Sequence, residues 1–421
     1  MGHRSPYSTD GHEKALLVGV YSSKRERHRQ ETSLAELTRL TQTAGAEILG
    51  SELHELKGVH AATYVGQGKA EALGRSAEGL GAGTVIFDED LSPTQNRNLE
   101  TISKRKVIDR TGLILDIFAK RARTREGKLQ VELAQLRYLL PRLTGRGTEF
   151  SQLAGGIGTR GPGETRLEMD RRKAKVRISL VSRELKRVQA HRELHRTRRS
   201  EIPIPTVALV GYTNAGKSTL MNRLTDASVL VEDRLFATLD PTVRRLKLPS
   251  GREILLSDTV GFVHKLPHQL VEAFRATFEE VAAADLLIHL IDSSDPEVLH
   301  QMETVDRVLE ELGLHRKPQI RVFNKVDAAR TGEGPVSPHA DGLQISALTG
   351  EGTENLLMTL EDKLSESFRF VSLTLPYEKG AELSVLYRTS RILNREDRAD
   401  GVHLEAVVDE KHYNKFKAYQ S

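Results

Sequence analysis

The stretch Val207-Ala208-Leu209-Val210, running into Gly211-Tyr212-Thr213-Asn214-Ala215-Gly216-Lys217-Ser218, decides how the sequence is read. Four apolar residues predict a buried strand. The glycine, lysine and serine spacing that follows, opening a helix, is that of a P-loop. The backbone N–H groups of Asn214 to Ser218 can wrap a phosphate, helped by the positive end of the helix. Lys217 then reaches the β- and γ-phosphates, and Ser218 supplies a hydroxyl ligand for Mg²⁺.

Downstream motifs name the base and the switches. Asn324-Lys325-Val326-Asp327 ends the apolar run Ile320–Phe323. A carboxylate at Asp327 can accept from both N1–H and the 2-amino group of guanine, whereas adenine offers no such donor pair. Asn324 is expected at the base edge, the Lys325 stem over the ring, and Ser346-Ala347-Leu348 supplies a third base contact through the Ala347 N–H. Asp258-Thr259-Val260-Gly261 follows another strand, so Asp258 can hold Mg²⁺ through water and the Gly261 N–H can meet the γ-phosphate. In Phe236-Ala237-Thr238-Leu239-Asp240-Pro241-Thr242 the candidate first switch is Thr238, whose hydroxyl bonds Mg²⁺ only when the γ-phosphate is present; Thr242 is the second choice. Lys217, Thr238 and Gly261 are therefore the candidate catalytic residues.

Around this site the chain divides. The strands Val207–Val210, Glu253–Leu256, Leu286–Ile291, Ile320–Phe323 and Leu343–Ile345, with helices between, predict a doubly wound, mostly parallel α/β GTPase domain over residues 201–366. Ahead of it, apolar runs at Ala15–Tyr21, Thr84–Phe87 and Val107–Asp109 alternate with helical stretches at Glu31–Ala44 and Gly68–Gly79. These predict a small α/β domain over 14–118, after a tail at 1–13. Residues 367–421 read as a small C-terminal α/β domain, with strands at Val371–Leu375 and Val402–Val408 and a helix at Ala381–Ile392.

The segment 119–200 differs in kind. Leucines at 129, 133, 136 and 140, and apolar residues at 174, 178, 181, 185 and 188, form two seams of heptad type, an antiparallel helical arm that Pro141 interrupts. Between the helices lies a loop rich in glycine, from Gly155 to Gly163. Residues 120–200 hold 22 Lys/Arg against 8 Asp/Glu, a net of +14, and the other residues hold 40 against 50, a net of −10. A net charge of +4 thus conceals a basic module suited to a polyanion, joined to a mildly acidic machine. With 421 residues, 38% hydrophobic and without cysteine, the chain is expected to form two to four domains and to hold no disulfide or thiolate metal site. No signal peptide, lipidation motif or membrane-spanning run is read, so a cytoplasmic monomer is expected.

The ordered motifs resemble those of translation-factor-class P-loop GTPases. Further stretches are similar to the signatures of HflX-type GTPases: Val65-Gly-Gln-Gly-Lys69, Phe87-Asp-Glu-Asp-Leu91, Gln95-Asn-Arg97, Asp109-Arg-Thr111, the run from Gly155 to Thr165, and Leu266-Pro-His268 after Phe262. That resemblance implies a cytoplasmic GTPase that binds the large ribosomal subunit and its ribosomal RNA through the arm and splits stalled or idle ribosomes. A ribosome-assembly or RNA-remodelling factor is the alternative. Phe262 stands where many small GTPases carry a water-orienting glutamine, which implies slow hydrolysis alone and stimulation by the ribosome. Asn214 resembles the P-loop asparagine that holds K⁺ in some relatives, acting with GTP or GDP and Mg²⁺. His264 and His268 read as flanking residues, and Gly66-Gln-Gly-Lys69 as a packing turn rather than a second, ATP site, because the full spacing and the hydroxyl are missing.

Overall fold

The structure is a computed structural model that describes residues 13–143, 166–199, 204–225, 235–236, 239, 242–265, 275–328 and 342–420. The chain forms two compact units. The first comprises Met1–Leu185 with Arg234–Phe236 and His264–Phe274; the second comprises Lys186–Asp233, Ala237–Val263 and Arg275–Ser421.

In the first unit a four-stranded parallel sheet has the order β2-β1-β3-β4, from β1 (Lys14–Tyr21), β2 (Glu47–Glu55), β3 (Thr84–Phe87) and β4 (Lys106–Asp109). The apolar run of β1 is buried along its length, as a central parallel strand with both faces covered must be. Its core joins Leu16, Val18, Val85, Phe87 and Val107 to Ala70, Leu73 and Ala77 of α2 (Gln67–Leu80) and Leu99 of α3 (Pro93–Ser103). Helices α1 (Lys24–Ala44) and α4 (Arg110–Arg121) bury Leu37 and Leu40, and Ile114, Ile117 and Phe118 respectively. β2, α3 and α4 were not expected from the sequence.

Helix α5 (Arg125–Leu139) passes into a short 3₁₀ turn at Leu140–Leu143, where Pro141 removes a donor. α6 (Arg166–Arg199) returns beside it. Arg177 grips Glu132 through two bonds, of 2.5 and 2.9 Å, and Arg125 lies 3.6 Å from Glu184. The partner of the later residue in α6 is the earlier one in α5, which is the signature of antiparallel packing. Leu129, Leu133, Val181 and Leu185 are buried along the seam. On α6, Arg171, Arg172, Lys173, Lys175, Arg183, Lys186 and Arg187 are exposed. The glycine-rich loop lies outside the described residues.

The second unit holds a six-stranded sheet of order β10-β9-β8-β5-β7-β6: β5 (Thr206–Gly211), β6 (Thr242–Lys247), β7 (Glu253–Asp258), β8 (Leu286–Asp292), β9 (Gln319–Asn324) and β10 (Leu343–Gln344). All neighbours are parallel except β6, which runs antiparallel to β7. β6 was not expected; Thr242, the second-choice switch residue, is its first residue and pairs with Asp258. The sheet order turns back at β5, so the carboxyl ends around that strand form the crevice in which such sheets bind ligands. A separate three-stranded antiparallel sheet, β11 (Phe368–Leu375), β13 (Gly401–Asp409) and β12 (Arg391–Arg398), closes the chain over a core that includes Leu373, Leu386, Leu404 and Phe416. The helix expected at Ala381–Ile392 ends at Thr389; Ile392 belongs to β12, unexpected from its charged sequence. Among the described residues no helix is long and apolar enough to cross a membrane.

Candidate functional site: a nucleotide crevice at the end of β5

Beyond β5 the chain wraps into the P-loop and enters α7 (Lys217–Thr225). Gly211 and Gly216 adopt φ values of 155° and 94°, and a Cβ on either would collide with the Leu290 carbonyl or the Asn324 amide. Glycine is required at both for backbone conformation and for space. Lys217 is buried, and its ammonium donates to the carbonyls of Gly211 at 3.0 Å and Tyr212 at 2.7 Å.

The Asp258–Gly261 segment lies against this loop. Phe262 donates its N–H to the Gly211 carbonyl at 3.1 Å and accepts from the Thr213 N–H at 2.7 Å. A Cβ on Gly261 would sit 2.7 Å from Thr213 Cγ2 and 3.1 Å from Lys217 Nζ, so only glycine permits that approach. Ser218 Oγ donates to Asp258 Oδ2 at 2.7 Å, and Thr259 Oγ1 donates to the Leu209 carbonyl at 2.6 Å. The hydroxyl and carboxylate expected to meet Mg²⁺ are here hydrogen-bonded to each other. Among the described residues no cluster of three or more His, Asp or Glu could hold a metal, so a cation here would need the phosphate oxygens as well. Phe262 is buried, its ring stacked 5.8 Å from Phe278 of α8 (Arg275–Ala283), and offers no polar group to a water.

On the base side, Asn324 ties two loops together. Its Nδ2 donates to the Ala215 carbonyl at 2.8 Å, and its Oδ1 accepts from the Ala347 N–H at 2.8 Å. The groups expected to meet the base at Asn324 and Ala347 are here bonded to each other, so Asn324 is a strut joining the P-loop to the Ser346–Leu348 turn. Lys325, with φ 65°, reaches Asp292 Oδ2 at 2.6 Å, which fixes its stem. Asp327 Oδ1 is buried with no hydrogen-bond partner among the described residues, which suits a carboxylate that accepts from a guanine edge. Val326 and Ser346 are buried, and Leu348 is exposed.

The structure therefore brings together the P-loop, Asp258 to Gly261, Asn324 to Asp327 and Ser346 to Leu348. Ala237, Thr238 and Asp240 lie outside the described residues, as does His268. Phe236, placed by the sequence among the nucleotide contacts, is instead buried edge-on against Phe118 in the first unit. The sequence reading missed Asp292, which could have been found as the carboxylate ending the apolar run of β8. It also missed Arg223 of α7, which donates to the carbonyls of Ala347 and Leu348 and for which no local signal exists.

Burial pushes the Lys217 ammonium down to about 8, partly opposed by Asp258. A bound phosphate favours the charged form, so it raises that pKa. Binding therefore takes up a proton only above about pH 8. Nucleotide affinity should be flat below that pH and fall by roughly tenfold per unit above it. Titration calorimetry in buffers of different ionisation enthalpy checks this; a flat affinity to pH 9.5 would refute it.

Four family profiles match in order along the chain: GTP-binding GTPase N-terminal over 31–119, GTP-binding GTPase Middle Region over 121–199, 50S ribosome-binding GTPase over 206–325 and HflX C-terminal domain over 336–417. The GTPase HflX of Caldanaerobacter subterraneus subsp. tengcongensis is 48% identical over 94% of this chain and 91% of its own length. That of Escherichia coli is 45% identical over 93% and 92%, and that of Akkermansia muciniphila 40% identical over 97% of each. A solved GTP-binding protein from Sulfolobus solfataricus, in complex with GDP, is 26% identical over 84% of this chain and 99% of that one, with a TM-score of 0.42. With a P-loop, the Asn324–Asp327 loop at the same crevice and relatives of this extent, the chain binds and hydrolyses GTP and belongs to the GTPase HflX family.

Proposed function

We propose that this GTPase binds the large ribosomal subunit and its ribosomal RNA through the basic arm, and splits stalled or idle ribosomes into subunits. The observation that carries the reading is the exposed basic face of α6, in the same chain as a GTP site. Such a face neutralises phosphates and gives large, salt-dependent affinity without reading sequence. The ribosomal assignment rests on the names of the matching profile and of the HflX relatives.

In this reading the functional parts are residues 14–118, the arm at 119–200, the GTPase domain at 201–366 and the C-terminal domain at 367–421, working as a cytoplasmic monomer. Lys217, Thr238 and Gly261 act on the γ-phosphate. Ser218 and Thr238 would hold Mg²⁺ directly and Asp258 through water, and the cation would neutralise charge on the leaving phosphates. In this reading Asn214, which is exposed, holds K⁺ against the phosphates; equal hydrolysis rates in Na⁺ and K⁺ would remove that role. With Phe262 buried, orientation of the attacking water falls to another group, so hydrolysis is slow alone and is stimulated by the ribosome.

Sedimentation of intact ribosomes with the purified protein tests the reading. Free subunits should appear with GTP and a non-hydrolysable analogue but not with GDP. Shortening Gly155–Gly163 should abolish splitting while sparing intrinsic hydrolysis. Co-sedimentation with large subunits while ribosomes stay intact would replace splitting by ribosome assembly or RNA remodelling.

A further inference from the structure

Two segments of the first unit come from far along the chain: Arg234–Phe236, just before Thr238, and His264–Phe274, just after Gly261. Each carries a bulky residue with left-handed backbone, Phe236 at φ 57° and Lys265 at φ 54°. A side chain makes that conformation costly, and it persists only where the surroundings over-determine it.

Here they do. The Phe236 ring meets Phe118 edge-on, with centroids 4.6 Å apart. Lys265 Nζ donates to Asp88 Oδ2 at 2.9 Å and Glu89 Oε1 at 2.6 Å, and Arg110 Nη2 donates to the His264 carbonyl at 2.9 Å. Asp88 is fully buried and also accepts from Ser33 Oγ and Arg110 Nη1, both at 2.6 Å. Burial alone would raise its pKa, but Arg110 and Lys265 outweigh burial and hold the carboxylate charged.

Topology gives this place meaning. The strand order β2-β1-β3-β4 turns back between β1 and β3, and Asp88 and Glu89 follow β3 directly. That is the crevice in which a parallel sheet takes its ligand. In this protein a lysine of the same chain pairs with the two carboxylates there, four residues beyond the glycine assigned to the γ-phosphate.

We propose that Lys265 is a positioning residue of the GTPase: seated between Asp88 and Glu89, it favours one nucleotide-dependent arrangement of the Asp258–Phe262 segment and so sets the relative affinity for GTP and GDP. Lys265 follows Gly261 by four residues, so the chain keeps the two within about 14 Å of each other. An interaction present in one arrangement and weakened in the other biases the equilibrium by their difference, and nucleotide biases the lysine reciprocally. The proposal rests on Gly261 sensing the γ-phosphate and is independent of any ribosomal role.

The test uses the full chain and compares fluorescent GDP with a fluorescent non-hydrolysable GTP analogue. Lys265→Met should change the ratio of the two affinities by at least about fivefold, and Glu89→Gln should change it less, in the same direction. The double variant should not exceed Lys265→Met, because both changes remove one interaction. Lys265→Arg should restore most of the parent ratio. An ion pair that merely holds the fold together would lower the melting temperature and leave the ratio alone. A ratio within about twofold of the parent in folded Lys265→Met and Glu89→Gln would overturn the proposal. If Lys265→Met does not fold, Glu89→Gln carries the comparison, and a ratio within about twofold of the parent in that variant would overturn the proposal. Failure of the parent itself to bind either nucleotide would count against the P-loop reading, not against Lys265.

Discussion

Lys217→Ala is expected to abolish measurable GTP hydrolysis and to weaken nucleotide binding by at least about thirtyfold, while leaving the nucleotide-free protein as stable as the parent or slightly more so. The first part follows from charge. In the proposed function Lys217 is the cation that meets the phosphates, and truncating one partner of a buried, hydrogen-bonded charge pair costs roughly 2–5 kcal/mol. The second part follows from what the ammonium does without phosphate. It is buried, it bonds two carbonyls of its own loop, and burial has driven its pKa well below the ordinary lysine value. A cation in that position is tolerated rather than stabilising, so its removal relieves the loop. Equilibrium binding of labelled nucleotide and thermal unfolding without nucleotide separate the two parts. Tight GTP binding by the variant would overturn the P-loop assignment. A large fall in melting temperature would show that the lysine is structural.

What the sequence disclosed was set by how local each cause is. The P-loop and the loop around Asp327 were legible because their chemistry lies within eight and four consecutive residues. β1, β5 and β8 were legible as apolar runs because each is central and covered on both faces. β2, β6 and β12 were missed for the complementary reason. Each stands at an edge of its sheet, with a neighbour on one side only among the described residues, and sequences such as Thr-Val-Arg-Arg-Leu-Lys carry no continuous apolar signal. α3 was missed although its start was written plainly: Ser92 and Gln95 form a capping box around Pro93. α4 was likewise announced by Asp109, whose side chain accepts from the Gly112 N–H at 2.8 Å.

Contacts across long separations were illegible in principle. Nothing near Phe236 points to Phe118, and nothing near Lys265 points to Asp88 and Glu89. Asn324 is the instructive intermediate: its place in the site was readable, but its two bonds depend on loops 109 and 23 residues away. Motif reading located the residue and left its partner undetermined.

Asp327→Asn should convert the protein from a guanine to a xanthine nucleotide enzyme. Guanine presents two adjacent donors, N1–H and the 2-amino group, and a carboxylate answers both. An asparagine offers one acceptor and one donor. Against guanine its NH₂ faces another NH₂, leaving two polar groups unpaired in a closed site. At about 1–3 kcal/mol for each of the two groups, GTP affinity should fall by a factor of roughly 30 to 2 × 10⁴. Xanthine keeps N1–H but carries a carbonyl at position 2, which the new NH₂ can meet, so the xanthosine triphosphate should be bound and hydrolysed at close to the parent's rate for GTP. The surroundings favour this outcome. Lys325 is held by Asp292, and Asn324 is held by Ala215 and Ala347, so the frame around position 327 does not depend on the carboxylate. Asp327 Oδ1 itself has no partner among the described residues, so the exchange breaks no bond at that oxygen. Competition between guanosine and xanthosine triphosphates, with hydrolysis measured for each, reads the result directly. An unchanged preference for guanine would place base recognition elsewhere. A loss of both nucleotides would show that Asp327 supports the loop rather than the base.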